Sequence, residues 1–266
     1  MSALTYAVKD STTMLRRNLK RLQRYPSLTL TLVGLPVIFL LLFVYVFGGT
    51  LGAGLGQESG GRAEYVNYVA PGIILMAIAG VVQGTAMVVA MDMAEGIIAR
   101  FRTMAIFRPS VLTGHVFASM IQTGISLAIV IVVAVIVGFR PTAGAIEWLA
   151  AIGVLALIAL ALTWLTVAIG LTSSNPESAS NLPMPLMLLP FLGSGFVPTE
   201  SMPAGLQWFA DNQPFTPMME TLRGLLLGTP IGNSAIIAAV WYTAITVVSF
   251  VWARAAYNRD PAPRPV

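Results

Sequence analysis

The chain has 266 residues, of which 56% are hydrophobic and only 10% are charged. Together with a mean hydropathy of +0.81, this composition excludes an ordinary soluble domain and indicates an all-α polytopic membrane protein. The formal net charge is +4, and the absence of cysteine excludes disulfides and thiol chemistry.

Residues 1–25 are predicted to form an amphipathic helix that lies in the membrane interface. Apolar positions recur there at steps of three and four residues, while the basic residues between Arg16 and Arg24 take other positions. An ordinary basic flank of a membrane span is the alternative interpretation. Pro26 ends the helix. The apolar positions are Leu4, Val8, Thr12, Leu15, Leu19 and Leu22.

Five apolar segments reach the roughly 20 residues with which a helix crosses the hydrocarbon core of a membrane. A sixth segment, Leu182–Val197, is short and holds three prolines, each of which removes a backbone donor that lipid cannot replace. We interpret it as a distorted helix packed against protein, and its length leaves open whether it crosses fully. The five clear segments are Ser27–Phe47, Tyr68–Met91, Ser110–Phe139, Trp148–Thr172 and Ala235–Ala253.

The basic residues are distributed unevenly over the connections between these segments. With six spans both termini share one side, and that side holds all basic residues except Arg62, Arg140 and Arg223. Because Lys and Arg accumulate in short cytoplasmic loops, we expect cytoplasmic termini. The basic residues then face the anionic inner leaflet, so the pI near 9.7 requires no nucleic-acid partner. The first span is longer than the core of a secretory signal, and we expect it to be retained.

A short charged segment, Asp92–Arg108, separates the second and third apolar runs and is predicted to lie outside the membrane. Four apolar residues in it follow one another at helical spacing and share one face, and three charged residues point away from that face. We interpret this pattern as a small amphipathic helix at which a partner docks. The apolar residues are Met93, Ile97, Phe101 and Met104, and the charged ones are Asp92, Glu95 and Arg102.

The next connection on the same side, Ser173–Asn181, has small polar residues and a single acidic one, Glu177. Its residue types suit a tight turn or a helix cap. We consider a second and weaker docking contact here, at Asn175 and Glu177.

The longest connection, Pro198–Gly232, is predicted to form one or two surface or re-entrant helices on the opposite side. Thr216 and Pro217 have the residue types of an N-cap and a first helical position, and Gly228 followed by Pro230 predicts the helix end.

Two pairs of side chains in this connection have predicted roles. Glu220 and Arg223 are spaced to form an ion pair, which contributes about 0–1 kcal/mol when water reaches it. Trp208 and Phe209 suit the interface between lipid and water.

Catalytic and nucleotide-binding patterns are absent from the sequence. The single histidine, His115, cannot anchor a typical zinc site, and we expect it to form an interhelical hydrogen bond. A phosphate-binding loop needs a lysine after glycine, and the only lysines are Lys9 and Lys20. No charged residue lies in the middle of a span, so no proton relay is visible. Any uphill transport therefore needs energy from a partner.

Two stretches of the sequence resemble ABC-2 type transporter permeases, and within that family the daunorubicin-resistance permeases of actinobacteria. The first runs from Glu95 through Arg108-Pro109 to Gly114-His115-Val116-Phe117-Ala118. The second runs from Leu189-Pro190-Phe191 through Asn212-Gln213-Pro214-Phe215-Thr216-Pro217 to Glu220-Thr221-Leu222-Arg223.

This resemblance implies a bacterial plasma-membrane exporter of two six-span permeases, identical or related, and two ATPase subunits. ATP and Mg would be bound by the ATPase partner, and this chain would bind no cofactor. The chain would divide into a connecting helix (1–25), a transmembrane domain (26–254) and a cytoplasmic tail (255–266). The coupling helix would comprise Met93, Glu95, Gly96, Ile97, Arg100, Phe101 and Met104. The re-entrant helices would include Trp208, Phe209, Pro217, Glu220 and Arg223.

Within such a permease pair, a GxxxG pattern in the second span offers a place for close helix approach. Gly80 and Gly84 enclose Gln83, which we hypothesise faces the dimer axis or the translocation path. The alternative is that glycines are simply frequent in apolar helices. Gln122 in the third span is a weaker candidate of the same kind.

The resemblance favours a hydrophobic or amphipathic small molecule, such as a drug or a lipid-like compound, as the cargo. Export of a cell-envelope lipid or polysaccharide is one alternative. A non-transporting scaffold or sensor docked to an ATPase is another. A membrane-embedded enzyme is disfavoured, because no pair of carboxylates or nucleophile constellation is present.

Overall fold

The computed structural model describes residues 3–24, 26–53, 61–103 and 109–258, and this part of the chain is almost entirely helical. Residues 43–47 form a π-helical turn that continues α2 into α3, and Thr199–Ser201 form a 3₁₀ turn. The α-helices are α1 (Ala3–Arg24), α2 (Pro26–Leu42), α3 (Gly48–Ala53), α4 (Arg62–Ala94), α5 (Ile97–Thr103), α6 (Pro109–Val137), α7 (Ala145–Thr172), α8 (Pro176–Asn181), α9 (Met184–Leu188), α10 (Ala204–Asn212), α11 (Phe215–Leu227) and α12 (Ser234–Asn258).

Five helices in the described residues are long and apolar enough to cross a membrane, and they match the five clear segments predicted from the sequence. Their bounds differ from the predicted ones by zero to six residues. They are Leu30–Ala53, Arg62–Ala94, Pro109–Val137, Ala145–Thr172 and Ser234–Asn258. The chain is therefore a multi-pass membrane protein, as its composition predicts.

Helix α4 lies at the centre of the bundle. It packs against α2, α6, α7, α8 and α11, and most of its side chains are buried. By contrast, α2, α6 and α12 expose apolar side chains such as Ile38, Ile136 and Val248. A helix that is apolar on its exposed face as well as its packed face suits a lipid environment. Of the other spans, α2, α6 and α7 pack against α4, and α12 packs against α7 and α11.

The predicted span Leu182–Val197 is not a continuous helix. It begins at Leu182, the C-cap residue of α8, and continues as the short helix α9 and a series of turns, since prolines at 183, 185 and 190 interrupt the helical hydrogen bonds. It nevertheless runs along α4. The side chain of Gln83 donates to the carbonyl of Ser180, and the hydroxyl of Tyr65 donates to the carbonyl of Phe196. Because Tyr65 and Gln83 are 18 positions apart, the segment follows α4 for about 27 Å.

The order of contacts places the helix ends at two sides of the bundle. At one end, α12 begins beside α11, where the hydroxyl of Ser234 donates to Glu220. At the other, Tyr257 near the end of α12 belongs to the same apolar cluster as Ile98 of α5 and Leu171 of α7. We call the latter the Asp92 end and the former the Arg223 end. Helix α1 also lies at the Asp92 end, packed on α6.

Helices α10 and α11 close the Arg223 end. The predicted N-cap at Thr216 is wrong, because the cap residue of α11 is Pro214, and Thr216 lies inside the first turn, where its hydroxyl donates to the carbonyl of Ala210. A proline is tolerated at this position because the first helical turn leaves its backbone donors free of intrahelical partners. The predicted helix end is confirmed, since Gly228 is the left-handed C-cap residue with φ of 73°.

Candidate functional site

Four segments meet at the Asp92 end: helix α1, the last turn of α4, helix α5 and the start of α6. At their centre lies the carboxylate of Asp92, which is fully buried. A buried carboxylate is costly unless charged or hydrogen-bonding groups surround it. The neighbours of Asp92 therefore identify the groups that hold these segments together.

Two arginines of α1 supply the charge that Asp92 requires. Nη2 of Arg17 lies 2.8 Å from Oδ2 of Asp92, and Nη1 of Arg21 lies 2.9 Å from Oδ1. The arginines are four residues apart on α1 and thus share a face. Their side chains are about a third and a quarter exposed, so each guanidinium also reaches solvent.

His115 at the start of α6 completes this group, which we call the Asp92 clamp (Arg17, Arg21, Asp92 and His115). Its Nε2 lies 3.3 Å from Oδ2 of Asp92, but the contact lies outside regular hydrogen-bond geometry. The sequence predicted a hydrogen bond for His115 and a solvated position for Asp92. The second expectation is wrong, because α1 folds over the end of α4 and covers Asp92.

The segment predicted as one amphipathic helix is divided in two by Gly96. Helix α4 ends at Ala94, Gly96 has φ of 70°, and α5 begins at Ile97. A positive φ favours glycine, because a side chain at that position would clash with the backbone. The periodicity that joins Met93 to Phe101 in the sequence therefore does not run through a single helix.

The break changes which side chains of the α4–α5 turn are free. Met93 and Phe101 pack against an apolar cluster of this same chain, and Cζ of Arg17 lies 5.3 Å from the centre of the Phe101 ring. Glu95 and Arg100 are exposed. Met104 lies outside the described residues. The exposed surface of the turn is therefore polar.

Helix α1 approaches α6 closely at Gly114. A Cβ atom placed on Gly114 would lie 2.6 Å from Cβ of Met14, so only glycine fits there without a shift of α1. One turn away, the hydroxyls of Ser11 and Thr113 lie 3.4 Å apart. The packing of α1 on α6 thus adds to the Asp92 clamp.

A cavity of about 690 Å³ lies beside the clamp, between α1, α2, α4 and α6. The clamp residues line one end of it, and Gly84, Ser119 and Gln122 lie farther along α4 and α6. Gly84 and Asp92 are eight positions apart, so the cavity extends about 12 Å along α4.

The residues predicted for a dimer axis or a translocation path have contacts within this chain. Gln83 donates to Ser180 at 2.8 Å, and the GxxxG glycines face α2, with Leu32 near both Gly80 and Gly84. Gln122 and Gly84 line the cavity. The close helix approach that the pattern predicts therefore occurs between α4 and the first span of the same chain.

The second predicted contact also lies at the Asp92 end. Asn175 is the N-cap of α8, and its side-chain oxygen accepts a hydrogen bond of 2.7 Å from the amide of Ser178. Asn175 and Glu177 are exposed. The helix cap expected from the residue types is thus present.

At the Arg223 end the predicted ion pair is replaced by other contacts among the described residues. Glu220 accepts from the hydroxyl of Ser234, while Arg223 donates to the carbonyls of Ser194 at 2.8 Å and Tyr68 at 3.3 Å. Its Cζ also lies 4.1 Å from the ring centre of Tyr68.

Burial sets the electrostatics of Arg223. It lowers the pKa of the guanidinium from its ordinary value, and nearby Tyr68 and Glu220 act in the opposite direction. Arginine nevertheless stays protonated at neutral pH. Of the other predicted residues at this end, Pro217 is buried in α11, whereas Trp208 and Phe209 on α10 are exposed, as an interfacial position requires.

The arrangement at the Asp92 end suits a mechanical link between helices more than catalysis. Among the described residues, no group of three or more His, Asp or Glu side chains could hold a metal ion. Sequence reasoning missed Arg17 and Arg21 as partners of Asp92. The available signal was an arginine pair at i and i+4 on an interfacial helix, together with an acidic residue at the end of a span.

Comparison with known sequences identifies the family. The sequence model of ABC-2 type transporters matches residues 10–227, which is most of the chain. The chain belongs to the ABC-2 type transporter family. This family match confirms the resemblance found in the sequence and covers most of α1, the Asp92 clamp, the cavity and α11.

Two relatives are named as drug-resistance permeases. The chain is 28% identical over 225 residues to the daunorubicin resistance ABC transporter permease protein DrrB1 of Streptomyces coeruleorubidus, covering 84% of this chain and 77% of the relative. It is 26% identical over 253 residues to the probable doxorubicin resistance ABC transporter permease protein DrrC of Mycobacterium tuberculosis, covering 93% and 88%. The similarity to permease subunits thus extends over most of the chain.

Proposed function

We propose that this protein is the permease subunit of an ABC exporter, which moves a hydrophobic or amphipathic small molecule out of the cell with ATP hydrolysed by partner subunits. The family match and the drug-resistance relatives support the class of transporter and the kind of cargo. ATP and Mg are bound by the partner, and this chain contributes the membrane path. The Asp92 clamp is the single observation that carries the mechanism.

The proposed ATPase contact is the exposed surface of the α4–α5 turn. Glu95 and Arg100 project from it, and Asn175 and Glu177 lie at the same end of the bundle. Met93 and Phe101 pack against other residues of this chain, so we assign the ATPase contact mainly to the polar side chains. Ile97 and Met104 would contribute less to it. Gly96 shapes the turn.

The clamp makes the docked turn part of a larger rigid body. Asp92 belongs to α4, Arg17 and Arg21 to α1, and His115 to α6, so a displacement of the turn carries these helices with it. Asp92 is buried but both arginines reach water, so breaking the clamp costs about 1–3 kcal/mol and the segments resist separation. Closure of two ATPase subunits would thereby tilt α4 and α6 together.

The proposed topology has six crossings with cytoplasmic termini. The segment from Ser180 to Phe196 follows α4 for a distance close to the roughly 30 Å of a hydrocarbon core, which supports a sixth, discontinuous crossing packed along α4. Helices α10 and α11 then lie at the outer face as re-entrant or surface helices. The excess of basic residues on the side of α1 supports the orientation. A second permease copy completes the proposed complex.

A charge reversal in the turn tests the docking assignment. Glu95→Lys should abolish co-purification of the ATPase with the membrane-inserted chain, while Glu200→Lys, an exposed acidic residue at the other end, should leave it intact. Full ATPase stoichiometry with Glu95→Lys would show that docking lies elsewhere.

Reconstitution separates an exporter from a scaffold or a sensor. The complex in vesicles should hydrolyse ATP faster when cargo is added and should move that cargo across the membrane. Docked ATPase with no response to any hydrophobic drug, lipid or polysaccharide would instead identify a non-transporting assembly.

A further inference from the structure

A second concave surface adjoins the cavity beside the Asp92 clamp. This basic groove of about 510 Å³ is lined by six residues of α1, of which five are cationic and none is acidic. They are Thr13, Arg16, Arg17, Lys20, Arg21 and Arg24. Arg17 and Arg21 line both the groove and the cavity, so the two spaces meet at the clamp.

The charges around the clamp do not balance. Asp92 offers one negative charge to two guanidiniums, and Glu95 at the cavity edge is the other acidic group of the lining. On the groove side Arg16, Lys20 and Arg24 add three positive charges with no carboxylate among the groove residues. Each arginine carries five N–H donors, of which Asp92 uses few. The groove therefore favours a ligand with a phosphate or carboxylate head.

Much of the cavity lining is apolar. Leu22 and Leu32 line it from α1 and α2, and Met87 and Met91 line it from α4. At the end away from the clamp, the hydroxyl of Thr85 donates to that of Ser119. Methionine side chains adapt to ligands of varied shape. The space is comparable to the roughly 300–1,000 Å³ of small-molecule sites. It suits an apolar chain about 12 Å long, which is the length of α4 from Asp92 to Gly84.

One buried polar atom in the lining, Oδ1 of Asn18, has no hydrogen-bond partner among the described residues. Nε2 of His115 contacts Asp92 at 3.3 Å without regular hydrogen-bond geometry, and both side chains are more than nine-tenths buried. Buried polar groups without partners are uncommon in folded proteins. Both residues face the cavity at the end nearest the groove, which is where the polar part of an amphiphile would lie.

We propose that the groove and the cavity together form a binding site for an anionic membrane lipid, with the head in the groove and an acyl chain in the cavity. The inference uses the placement of α1 at the membrane surface from the proposed function but does not depend on transport or on the cargo. A bound lipid would brace α1 against α4 and α6 beside the clamp. A phospholipid from the adjacent leaflet is the source to which we assign the ligand.

Native mass spectrometry of the full chain in neutral detergent tests the site. Titration with phosphatidylglycerol should show saturable binding, about tenfold or more tighter than phosphatidylcholine. Neutralising two groove residues with Arg16→Gln and Lys20→Gln should weaken phosphatidylglycerol binding about thirtyfold, since each basic residue near an anionic surface contributes a factor of about five. Lys9→Gln with Arg254→Gln removes the same charge elsewhere and should change binding less than twofold.

Filling the cavity tests the acyl-chain end of the site. Met87→Trp should reduce phosphatidylglycerol binding to the level of phosphatidylcholine, and Met184→Trp, at an exposed methionine outside the cavity, should not. Equal affinity for the two lipids, or full binding by Met87→Trp, would overturn the proposal. Equal weakening of phosphatidylglycerol binding by the Arg16/Lys20 and Lys9/Arg254 double variants would also contradict the site, because it would show diffuse electrostatic attraction.

A variant-free measurement covers the case in which a substituted chain does not fold. A phosphatidylglycerol with a photoreactive group in its acyl chain should label the wild-type chain at Leu22, Leu32, Met87 or Met91. Labels confined to outward-facing residues such as Ile136 and Val248 would contradict the site. Because neither ATPase nor cargo is present, a negative result leaves the proposed transport function standing.

Discussion

The two ends of the bundle bury charge in different ways. At the Asp92 end a carboxylate is neutralised by arginines from another helix, and a cavity lies directly beside them. At the Arg223 end a guanidinium is held by backbone carbonyls and an aromatic ring. The first arrangement joins helices through ion pairs between side chains, while the second joins α11 to the backbone of α4 and of the turn at Ser194.

Aromatic packing strengthens this contrast. The rings of Phe191 and Phe196 stack near the Arg223 end, with their centroids 4.2 Å apart. The ring centroid of Phe43, in the π-helical turn, lies 4.7 Å from that of Phe196. Such pairs contribute about 0.5–1.5 kcal/mol beyond the area they bury. The Arg223 end therefore suits a stable cap, and the Asp92 end suits the transmission of movement.

The largest effect is expected from Asp92→Asn. The neutral amide cannot hold two guanidiniums, so α1 should loosen from α4 and α6, and cargo-dependent ATP hydrolysis should fall about tenfold or more. Thermal unfolding should show a loss of about 1–3 kcal/mol, less than for a fully buried pair because both arginines reach water. The exposed Asp211→Asn serves as the control and should match the wild type in both measurements.

Much of this architecture can be predicted from the composition of the sequence, but the contacts between residues far apart in the sequence cannot. Apolar runs locate the spans, and the Gly228-Thr229-Pro230 sequence locates the end of α11 because few other residues accept its backbone geometry. The partner of Asp92, Arg17, lies 75 positions away, so the spacing of the two arginines suggests this contact only when it is combined with an acidic residue at the end of a distant span.

The α4–α5 turn shows a second limit of sequence periodicity. Met93, Ile97 and Phe101 have helical spacing, but one glycine at position 96 with positive φ breaks the helix between them. A spacing rule assumes an unbroken helix, so it cannot anticipate which face packs inward. Glycine within an amphipathic pattern of this kind is the residue to question.

An effect on stability, with no effect on coupling, is expected from Arg223→Met. Removing the guanidinium leaves the carbonyls of Ser194 and Tyr68 without this donor, which should cost about 2–3 kcal/mol of unfolding free energy. Cargo-dependent ATP hydrolysis per folded complex should stay near the wild-type value. A tenfold drop in cargo-dependent ATP hydrolysis would show that the Arg223 end also transmits movement, contrary to the account.

Arg140→Met is the matched control for Arg223. Arg140 also donates to carbonyls, those of Val135 and Phe139, but it is exposed. Water can replace its hydrogen bonds, so we expect a loss of at most about 1 kcal/mol in the same unfolding measurement.

The smallest effect is expected from Asn175→Ala. The substitution removes the side-chain acceptor that caps α8, and caps of this kind contribute about 0.5–2 kcal/mol. Hydrogen exchange at the amides of Ser178 and Ala179 should speed up locally while global unfolding changes little. Asn175→Ser keeps a capping oxygen and should restore the protection, and unchanged exchange in Asn175→Ala would show that the cap is unimportant.

A disulfide between α1 and α6 provides the most direct measurement of whether the Asp92 end moves as one body. The chain has no cysteine, and the hydroxyls of Ser11 and Thr113 lie 3.4 Å apart, so Ser11→Cys with Thr113→Cys should form a single crosslink. In the oxidised wild-type background we predict unchanged cargo-dependent ATP hydrolysis. In the Asp92→Asn background oxidation should restore the lost coupling, and reduction should abolish it again. Loss of turnover on oxidation of the wild-type background would contradict the account, because it would mean that α1 must slide along α6 during transport.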